Sequence, residues 1–328
     1  MARPRKYDIC LEVTTYYHCV SRCVRRAFLC GHDDYTGESY EHRRQWVEDR
    51  LLSLTRSFTI DICAYAVMSN HCHVVLHVDV EKADALTTAE IVERWHGLFI
   101  GTHLTQQFLA GHTLTDAEIR AVEKQAETWR KNLMSVSWFM RCLNEHIARR
   151  ANQEDDCTGR FWEGRFKCQA LLDESALLAC MAYVDLNPVR AGVANSPEES
   201  EYTSIHQRMA IFRSDIEKPN SEDLMPFRSK SQQESTRTLH FSLQGYLELL
   251  DWTGRAIRDE SHGAIPSELP PIAKRQQIET DAWLSMTEAF ESLFHALVGS
   301  EEAVLSACAQ TGRNWSHGIS ACRRCFPT

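Results

Sequence analysis

The sequence predicts an α+β protein. Segments rich in β-branched and aromatic residues alternate with segments that have the apolar spacing of helices. Two predicted strands, 59–67 and 71–78, are separated only by the short turn Met68-Ser-Asn70, which predicts a β-hairpin. Beyond residue 240 only helical spacing recurs, so a small α-helical C-terminal domain is expected.

The elements follow one another in a clear order. The first predicted strand covers 13–21 (VTTYYHCVS), and arginines follow it at once. A helix is expected over 42–58, where a tryptophan and two leucines have helical spacing, and the hairpin comes next. The segment 159–172 is interpreted as a loop that leads into a further strand.

Capping signals mark the starts of several helices. Thr87 and Thr115 each precede a glutamate by three residues, and this capping-box pattern predicts a helix after each. A third helical stretch spans 135–152. Asp173 is the expected N-cap of another helix, which Pro188 ends because proline cannot continue a helix.

Length and composition indicate a soluble protein of two domains. The chain has 328 residues, of which 43% are hydrophobic and 25% charged, and no apolar run is long enough to predict a membrane span. Thirteen cysteines without framework spacing predict reduced thiols and a cytoplasmic protein, associated with the nucleoid if it binds DNA. The Ser-, Gln- and Pro-rich segment 213–240 is predicted to be a linker or long loop between domains at 1–212 and 241–328.

The charge is unevenly distributed. A net charge of −9 argues against general nucleic-acid binding. Residues 1–30, however, carry six basic and two acidic side chains, a local charge of +4. A basic face on an acidic body is therefore compatible with the sequence.

A pair of histidines lies on the third predicted strand. His71 and His73 are two residues apart, so their imidazoles should share one face while Cys72 and Val74 point into the protein. Two neutral imidazoles on a rigid face can hold a divalent metal, although such pairs also occur by chance. His77, on the same face, is either a surface residue or a further partner.

A tyrosine and an asparagine lie four residues apart on the helix after Asp173. Tyr183 and Asn187 should share a helix face. A tyrosine hydroxyl is a covalent nucleophile when a nearby metal or cation assists loss of its proton, and an amide oxygen one turn away can ligate that metal. Because this set includes a hard oxygen ligand, Mg²⁺ or Mn²⁺ is expected.

Four segments occur in an order that resembles a known family. They are Tyr17–Arg22 (YHCVSR), Val67–Leu76 (VMSNHCHVVL), Gly164–Leu172 (GRFKCQALL) and Tyr183–Gly192 (YVDLNPVRAG). Together they resemble the HUH single-strand transposases with one catalytic tyrosine, most closely the REP-associated tyrosine transposases. The resemblance covers roughly residues 8–210.

The resemblance implies a fold and an activity. The fold would be a ferredoxin-like α+β domain, an antiparallel sheet with helices on one face and the histidines on a central strand. His71 and His73 would be metal ligands, Asn187 the third ligand and Tyr183 the nucleophile. The family cuts single-stranded DNA at hairpin-forming repeats through a 5′-phosphotyrosine bond and rejoins it without a nucleotide cofactor. The protein would be a monomer or a dimer.

Basic residues interleaved with aromatic ones are expected to bind the DNA. Arginines after the first strand are suited to phosphates, and stacking combined with charge suits unpaired bases. Each of these side chains has an alternative as surface charge or packing. The candidates are Arg22, Arg25, Arg26, Arg160, Trp162, Arg165, Lys167 and Arg190.

Two other functions remain open from the sequence. One is a domesticated protein that binds repeat hairpins without cutting them, which needs the basic and aromatic residues but not Tyr183. The other is a metal-dependent hydrolase that uses water as its nucleophile. The joint presence of Tyr183, His71, His73 and Asn187 favours the transferase.

Overall fold

A five-stranded sheet is the centre of the protein. The computed structural model describes residues 8–24, 29–32, 37–213, 223–228, 238–259 and 270–326. The strands, in the spatial order β2-β3-β1-β4-β5, are β1 (Tyr16–Arg22), β2 (Ile60–Val67), β3 (His71–Val78), β4 (Lys167–Leu171) and β5 (Leu297–Val298). The first four pair antiparallel, whereas β5 pairs parallel with β4. Together with the helices this is an α+β architecture.

The predicted hairpin is confirmed. β2 and β3 pair along their length, and the turn between them is closed by a 2.9 Å hydrogen bond from Met68 N to His71 O. Every residue of β2 is buried, and His71 is the only partly exposed residue of β3. These strands are buried on both faces because helices cover both faces, although one face of β3 carries His71, His73 and His77.

The helices of the first half follow the predicted capping signals. Thr87, Thr115 and Asp173 each accept a hydrogen bond from the helix they begin, and the first two form complete capping boxes. The helices up to residue 213 are α1 (Arg43–Thr55), α2 (Val80–Ala85), α3 (Thr88–His96), α4 (His103–Leu109), α5 (Asp116–Leu133), α6 (Val136–Glu154), α7 (Glu174–Asp185), α8 (Asn187–Arg190) and α9 (Ser204–Arg213).

Helices lie on both faces of the sheet, so the expectation of helices on one face is wrong. Helices α1 and α6 cover the face of Cys72: the Tyr65 hydroxyl donates to Glu48 of α1 at 2.6 Å, and Asn144 of α6 donates to Ser21 Oγ at 2.8 Å. Helix α7 covers the opposite face. It is buried on all sides because its residues are almost all apolar, and it lies between the sheet and a C-terminal helix.

The C-terminal segment is mostly helical and joins the same sheet. Its helices are α10 (Leu243–Asp259), α11 (Pro271–Arg275), α12 (Thr280–Leu293), α13 (Glu301–Gln310) and α14 (Ile319–Cys325). Helix α12 packs on α7, and β5 extends the sheet beyond β4. Within the expected linker, residues 223–228 lie beside β2, where Met225 N donates to Ile62 O at 2.8 Å; residues 214–222 and 229–237 lie outside the described residues.

No helix within the described ranges has the length and apolar character needed to span a membrane.

Candidate active site

Three histidines come together on the face of the sheet that α7 covers. His71 and His73 of β3 have ring centroids 4.8 Å apart, as the strand alternation predicts. Val20 of β1 is paired with His73, which places His18 diagonally opposite, and the His18 and His73 rings stack at 5.2 Å. His18 and His73 are fully buried, whereas His71 is partly exposed at the end of the strand.

Tyr183 reaches this histidine cluster from α7. Its ring lies edge-on to His73 at 5.6 Å and to His18 at 6.3 Å between centroids. Only 6% of the residue is exposed. The fold therefore brings Tyr183 to a histidine cluster whose nearest member on β3, His73, is 110 residues earlier in the sequence.

The helix carrying Tyr183 is interrupted before Asn187. Helix α7 ends at Asp185 and α8 begins at Asn187, because Pro188 has no N–H with which to continue the α7 hydrogen-bond ladder. Tyr183 and Asn187 are thus on successive helices rather than on one helix face. Asn187 is 4% exposed, and its Nδ2 is buried without a hydrogen-bond partner among the described residues.

A chain of hydrogen bonds determines which nitrogen of His73 carries the proton. The carbonyl of Phe294 can only accept, so Gln169 directs its Nε2 there, at 2.7 Å. Gln169 Oε1 therefore accepts from His18 Nδ1, also at 2.7 Å. Burial lowers the pKa of His18, so its Nε2 is an acceptor, and the proton in the 3.0 Å bond belongs to His73 Nδ1.

This relay leaves a lone pair on His73 Nε2. Burial lowers the pKa of His73 well below its usual range, so the ring is neutral, and Nε2 is buried without a partner in the described part of the chain. An orphaned buried nitrogen lone pair is costly unless a cation or donor occupies the space beside it. His18 and Gln169 were not among the sequence candidates; His18 lies in the YHCVSR segment, but its partner Gln169 is 151 residues away.

We expect wild-type protein without added metal to have His73 protonated at Nδ1. Long-range ¹H–¹⁵N spectra of ¹⁵N-histidine-labelled protein, assigned through single histidine variants, report this tautomer. Gln169→Leu should remove the preference by freeing His18 to donate from either nitrogen, and should destabilise the fold by about 1–3 kcal/mol because Phe294 O loses its donor. The control His77→Gln should leave the His73 signals unchanged. An Nε2–H proton on His73 in the wild type would refute the relay.

His71 is also available as a neutral ligand. Burial, with a smaller contribution from the positive charge of Arg22, lowers the pKa of His71 to about 4. Its Nδ1 contacts Asn70 Oδ1 at 2.6 Å, which leaves Nε2 as the ligand atom. Among the described residues no group of three or more His, Cys, Asp or Glu side chains is arranged to hold a metal. A metal here would need a different third ligand, such as the Asn187 amide.

Arg190 lies against the tyrosine rather than on an open surface. Its guanidinium carbon is 4.1 Å from the centroid of the Tyr183 ring, and its Nη1 donates to Thr287 O at 2.8 Å. Burial raises the pKa of Tyr183, and the charge of Arg190 offsets part of that increase. Arg190 is therefore placed to stabilise a tyrosinate.

Helix α12 and the residue after it contribute four contacts to this cluster. Thr287 holds Arg190, and the Phe290 ring lies 5.7 Å from that of Tyr183. Glu291 pairs with Lys167 at 2.6 Å; burial alone would raise the pKa of Glu291, but this bond lowers it on balance. Phe294 anchors the relay. The backbone at Ala289 is not helical, so Thr287 lies before this kink and the other three residues lie after it. Helical spacing in the sequence therefore does not predict that all four contact the same cluster.

Three predicted DNA contacts border a shallow depression beside the histidines. Arg22, Arg165 and Lys167 line it together with Val20, Glu163 and Gly164. The lining has three cations and one carboxylate, and Lys167 is also paired with Glu291, so the depression keeps one net positive charge. All three cations are exposed at the surface.

The other predicted contacts are dispersed. Arg160 is exposed. Trp162 is half-buried, and its indole N–H donates to Asn144 O at 2.8 Å, which ties it to α6. Arg25 and Arg26 lie outside the described residues. His77 is neither at the surface nor in the cluster: it is 7% exposed, 3.4 Å from Asp61 and against Tyr16.

Comparison with known proteins shows one distant structural relationship. No protein-family model and no curated protein matches the chain. A solved structure of a REP-associated tyrosine transposase bound to a REP hairpin is similar over 73% of this chain and 97% of its own length. The sequence identity is 12% and the TM-score 0.38.

Proposed function

We propose that the protein is a metal-dependent DNA strand transferase that cuts and rejoins single-stranded or hairpin DNA through Tyr183. The observation that carries this proposal is the convergence of Tyr183 with His71 and His73 on one covered face, with the Arg190 guanidinium 4.1 Å from the tyrosine ring centroid. A packing tyrosine requires neither a cation against its ring nor two neutral imidazoles beside it.

The connectivity supports the ferredoxin-like HUH arrangement that the sequence resemblance implies. The elements β1, α1, β2, β3, α6 and β4 follow in that order, and their strands are arranged β2-β3-β1-β4. His71 and His73 then lie on a strand with neighbours on both sides. A position inside the sheet holds the two imidazoles rigidly.

The residues present fit a divalent cation. Among the described residues, His73 Nε2 is a buried lone pair without a partner, His71 is neutral, and Asn187 has a buried amide. These three side chains would hold Mg²⁺ or Mn²⁺. When bound, the ion would supply a Lewis acid for the oxygens of the scissile phosphate.

The chain's own residues account for the transfer. The Tyr183 oxygen attacks phosphorus, a phosphotyrosine bond forms, and the bond to the 3′-oxygen of the neighbouring nucleotide breaks. The phenolic proton is released, Arg190 stabilises the negative oxygen, and the leaving 3′-oxygen takes up a proton. Reversal by a 3′-hydroxyl rejoins the strand, so no nucleotide cofactor is consumed.

One observation favours a second candidate function. Only 6% of Tyr183 is exposed, and its ring lies against Phe290, so the tyrosine is largely shielded from a bound strand. A repeat-hairpin binder that never cuts would not need an accessible tyrosine. It would use the basic depression formed around Arg22, Arg165 and Lys167.

Adduct formation with labelled DNA separates these functions. We expect single-stranded or hairpin repeat DNA with Mg²⁺ or Mn²⁺ to give a protein–DNA adduct on a denaturing gel, with the modification on the peptide that contains Tyr183. DNA binding without any adduct, under both metals, would favour the non-cutting binder.

Metal removal gives a further prediction. A chelator should abolish the adduct, and Mn²⁺ should restore it. His71→Ala should weaken Mn²⁺ binding by about 10-fold or more, measured by calorimetry, because alanine supplies no ligand atom in place of one of the few ligands. His71 is partly exposed, so the variant should fold. The control His77→Gln should bind Mn²⁺ as the wild type does; equal binding by both variants would exclude His71 as a ligand.

A further inference from the structure

A cavity of about 770 Å³ opens beside the histidine relay. Its walls come from β1 and β4 and from the C-terminal segment, including His18, Lys167, Glu291, His295, Trp315 and His317. This volume is within the range of small-ligand sites in proteins. The catalytic proposal makes no use of it.

The outer wall of the cavity is aromatic. Trp315 is 63% exposed although it is a large apolar residue, and its ring centroid lies 4.1 Å from that of His317. His317 in turn lies 5.6 Å from His295. Exposed aromatic rings at the mouth of a cavity offer flat surfaces on which a base can stack.

The charges that line the cavity balance. Lys167 is paired with Glu291 at 2.6 Å, and Arg313 lies 3.6 Å from Asp8. A neutral aromatic cavity suits a nucleobase better than a phosphate. A phosphate would instead suit the basic depression of Arg22 and Arg165. This depression adjoins the cavity, because Val20 and Lys167 line both.

Resting on the function proposed above, we propose that this cavity takes one unpaired nucleobase of the bound DNA strand. The base stacks on Trp315, and the adjoining phosphate lies in the neighbouring depression against Arg22. The C-terminal segment, which lies outside the 8–210 region that carries the family resemblance, would then select the nucleotide beside the cleavage position. Asn314 and His317 offer hydrogen-bonding groups at the cavity wall for the edge of the base.

Photocrosslinking tests the contact directly. The probe is a 20-nucleotide oligothymidine with one central 5-iodouracil, irradiated with the full-length protein and digested with trypsin. We expect the crosslink on the peptide 314–323, which contains Trp315. Crosslinks confined to other peptides would overturn the proposal.

Affinity measurements give an independent test. Trp315→Ala should weaken binding of fluorescein-labelled oligothymidine by about 5- to 150-fold, the range for loss of one base–aromatic stack, and Trp315→Phe should recover most of it. The control Leu305→Ala removes another exposed apolar side chain from the same segment and should change affinity by less than about twofold. Equal affinities of Trp315→Ala and wild type would overturn the proposal.

The experiments can contradict base binding in the cavity and strand transfer by Tyr183 independently of each other. Trp315-dependent binding without any Tyr183 adduct supports the cavity and overturns the transferase. An adduct accompanied by Trp315-independent binding overturns the cavity and leaves the transferase.

Discussion

Tyr183→Phe is expected to abolish the DNA adduct while the protein stays folded. Phenylalanine keeps the ring that packs against His73, His18 and Phe290, so the free energy of unfolding should change little. The variant lacks the oxygen that would bond to phosphorus. Loss of a covalent nucleophile lowers the rate by on the order of 10⁴-fold or more, so no adduct should appear on a denaturing gel.

Tyr16→Phe is the matched control for this variant. Tyr16 lies on the same face of the sheet, but its ring contacts His77 rather than the histidine cluster. The yield of DNA adduct from Tyr16→Phe should equal that from the wild type. Strand cleavage that persists in Tyr183→Phe would show that the protein is a hydrolase that uses water rather than a transferase.

Asp185→Ala is expected to destabilise the fold by about 3–5 kcal/mol, the loss seen when one partner of a buried charge network is removed. Asp185 is fully buried and accepts hydrogen bonds from the Ser204 hydroxyl, from Ile205 N at 3.0 Å and from the Tyr246 hydroxyl at 2.6 Å. The carboxylate therefore joins α7 to α9 and α10. Without it, the three donors have no acceptor, and the buried positive charge of Arg208 loses a nearby negative charge.

Thermal unfolding monitored by circular dichroism measures this loss. At about 2–4 °C per kcal/mol, the midpoint should fall by roughly 6–20 °C. Asp251→Ala is the control, since Asp251 is an exposed carboxylate whose partner is Arg255 on the same helix, and it should cost less than about 1 kcal/mol. A midpoint of Asp185→Ala within 2 °C of the control, about the equivalent of 1 kcal/mol, would show that the network contributes little.

Local patterns in the sequence predict the elements that hold the candidate catalytic residues. Alternation and the short turn predict the hairpin with His71 and His73, and the capping residues Thr87, Thr115 and Asp173 mark helix starts that the structure confirms. These features depend on residues only a few positions apart, such as an oxygen that accepts from an amide three residues on. The sheet face of His73 follows equally from strand geometry.

Contacts between distant segments escape this kind of reasoning. Helix α12 packs on α7, which covers the histidines, although about a hundred residues separate the two helices in the sequence. The full burial of His73 depends on this packing.

The sequence by itself determined the hairpin, the shared strand face of His71 and His73, and the positions of Tyr183 and Asn187 close together in the chain. Only the tertiary structure decided which groups surround them. His18, Gln169 and Phe294 form one hydrogen-bonded relay although they come from β1, β4 and the end of α12. The physical reason is that a proton's position on His73 depends on atoms within about 3 Å, and such neighbours are brought together by packing rather than by spacing along the chain.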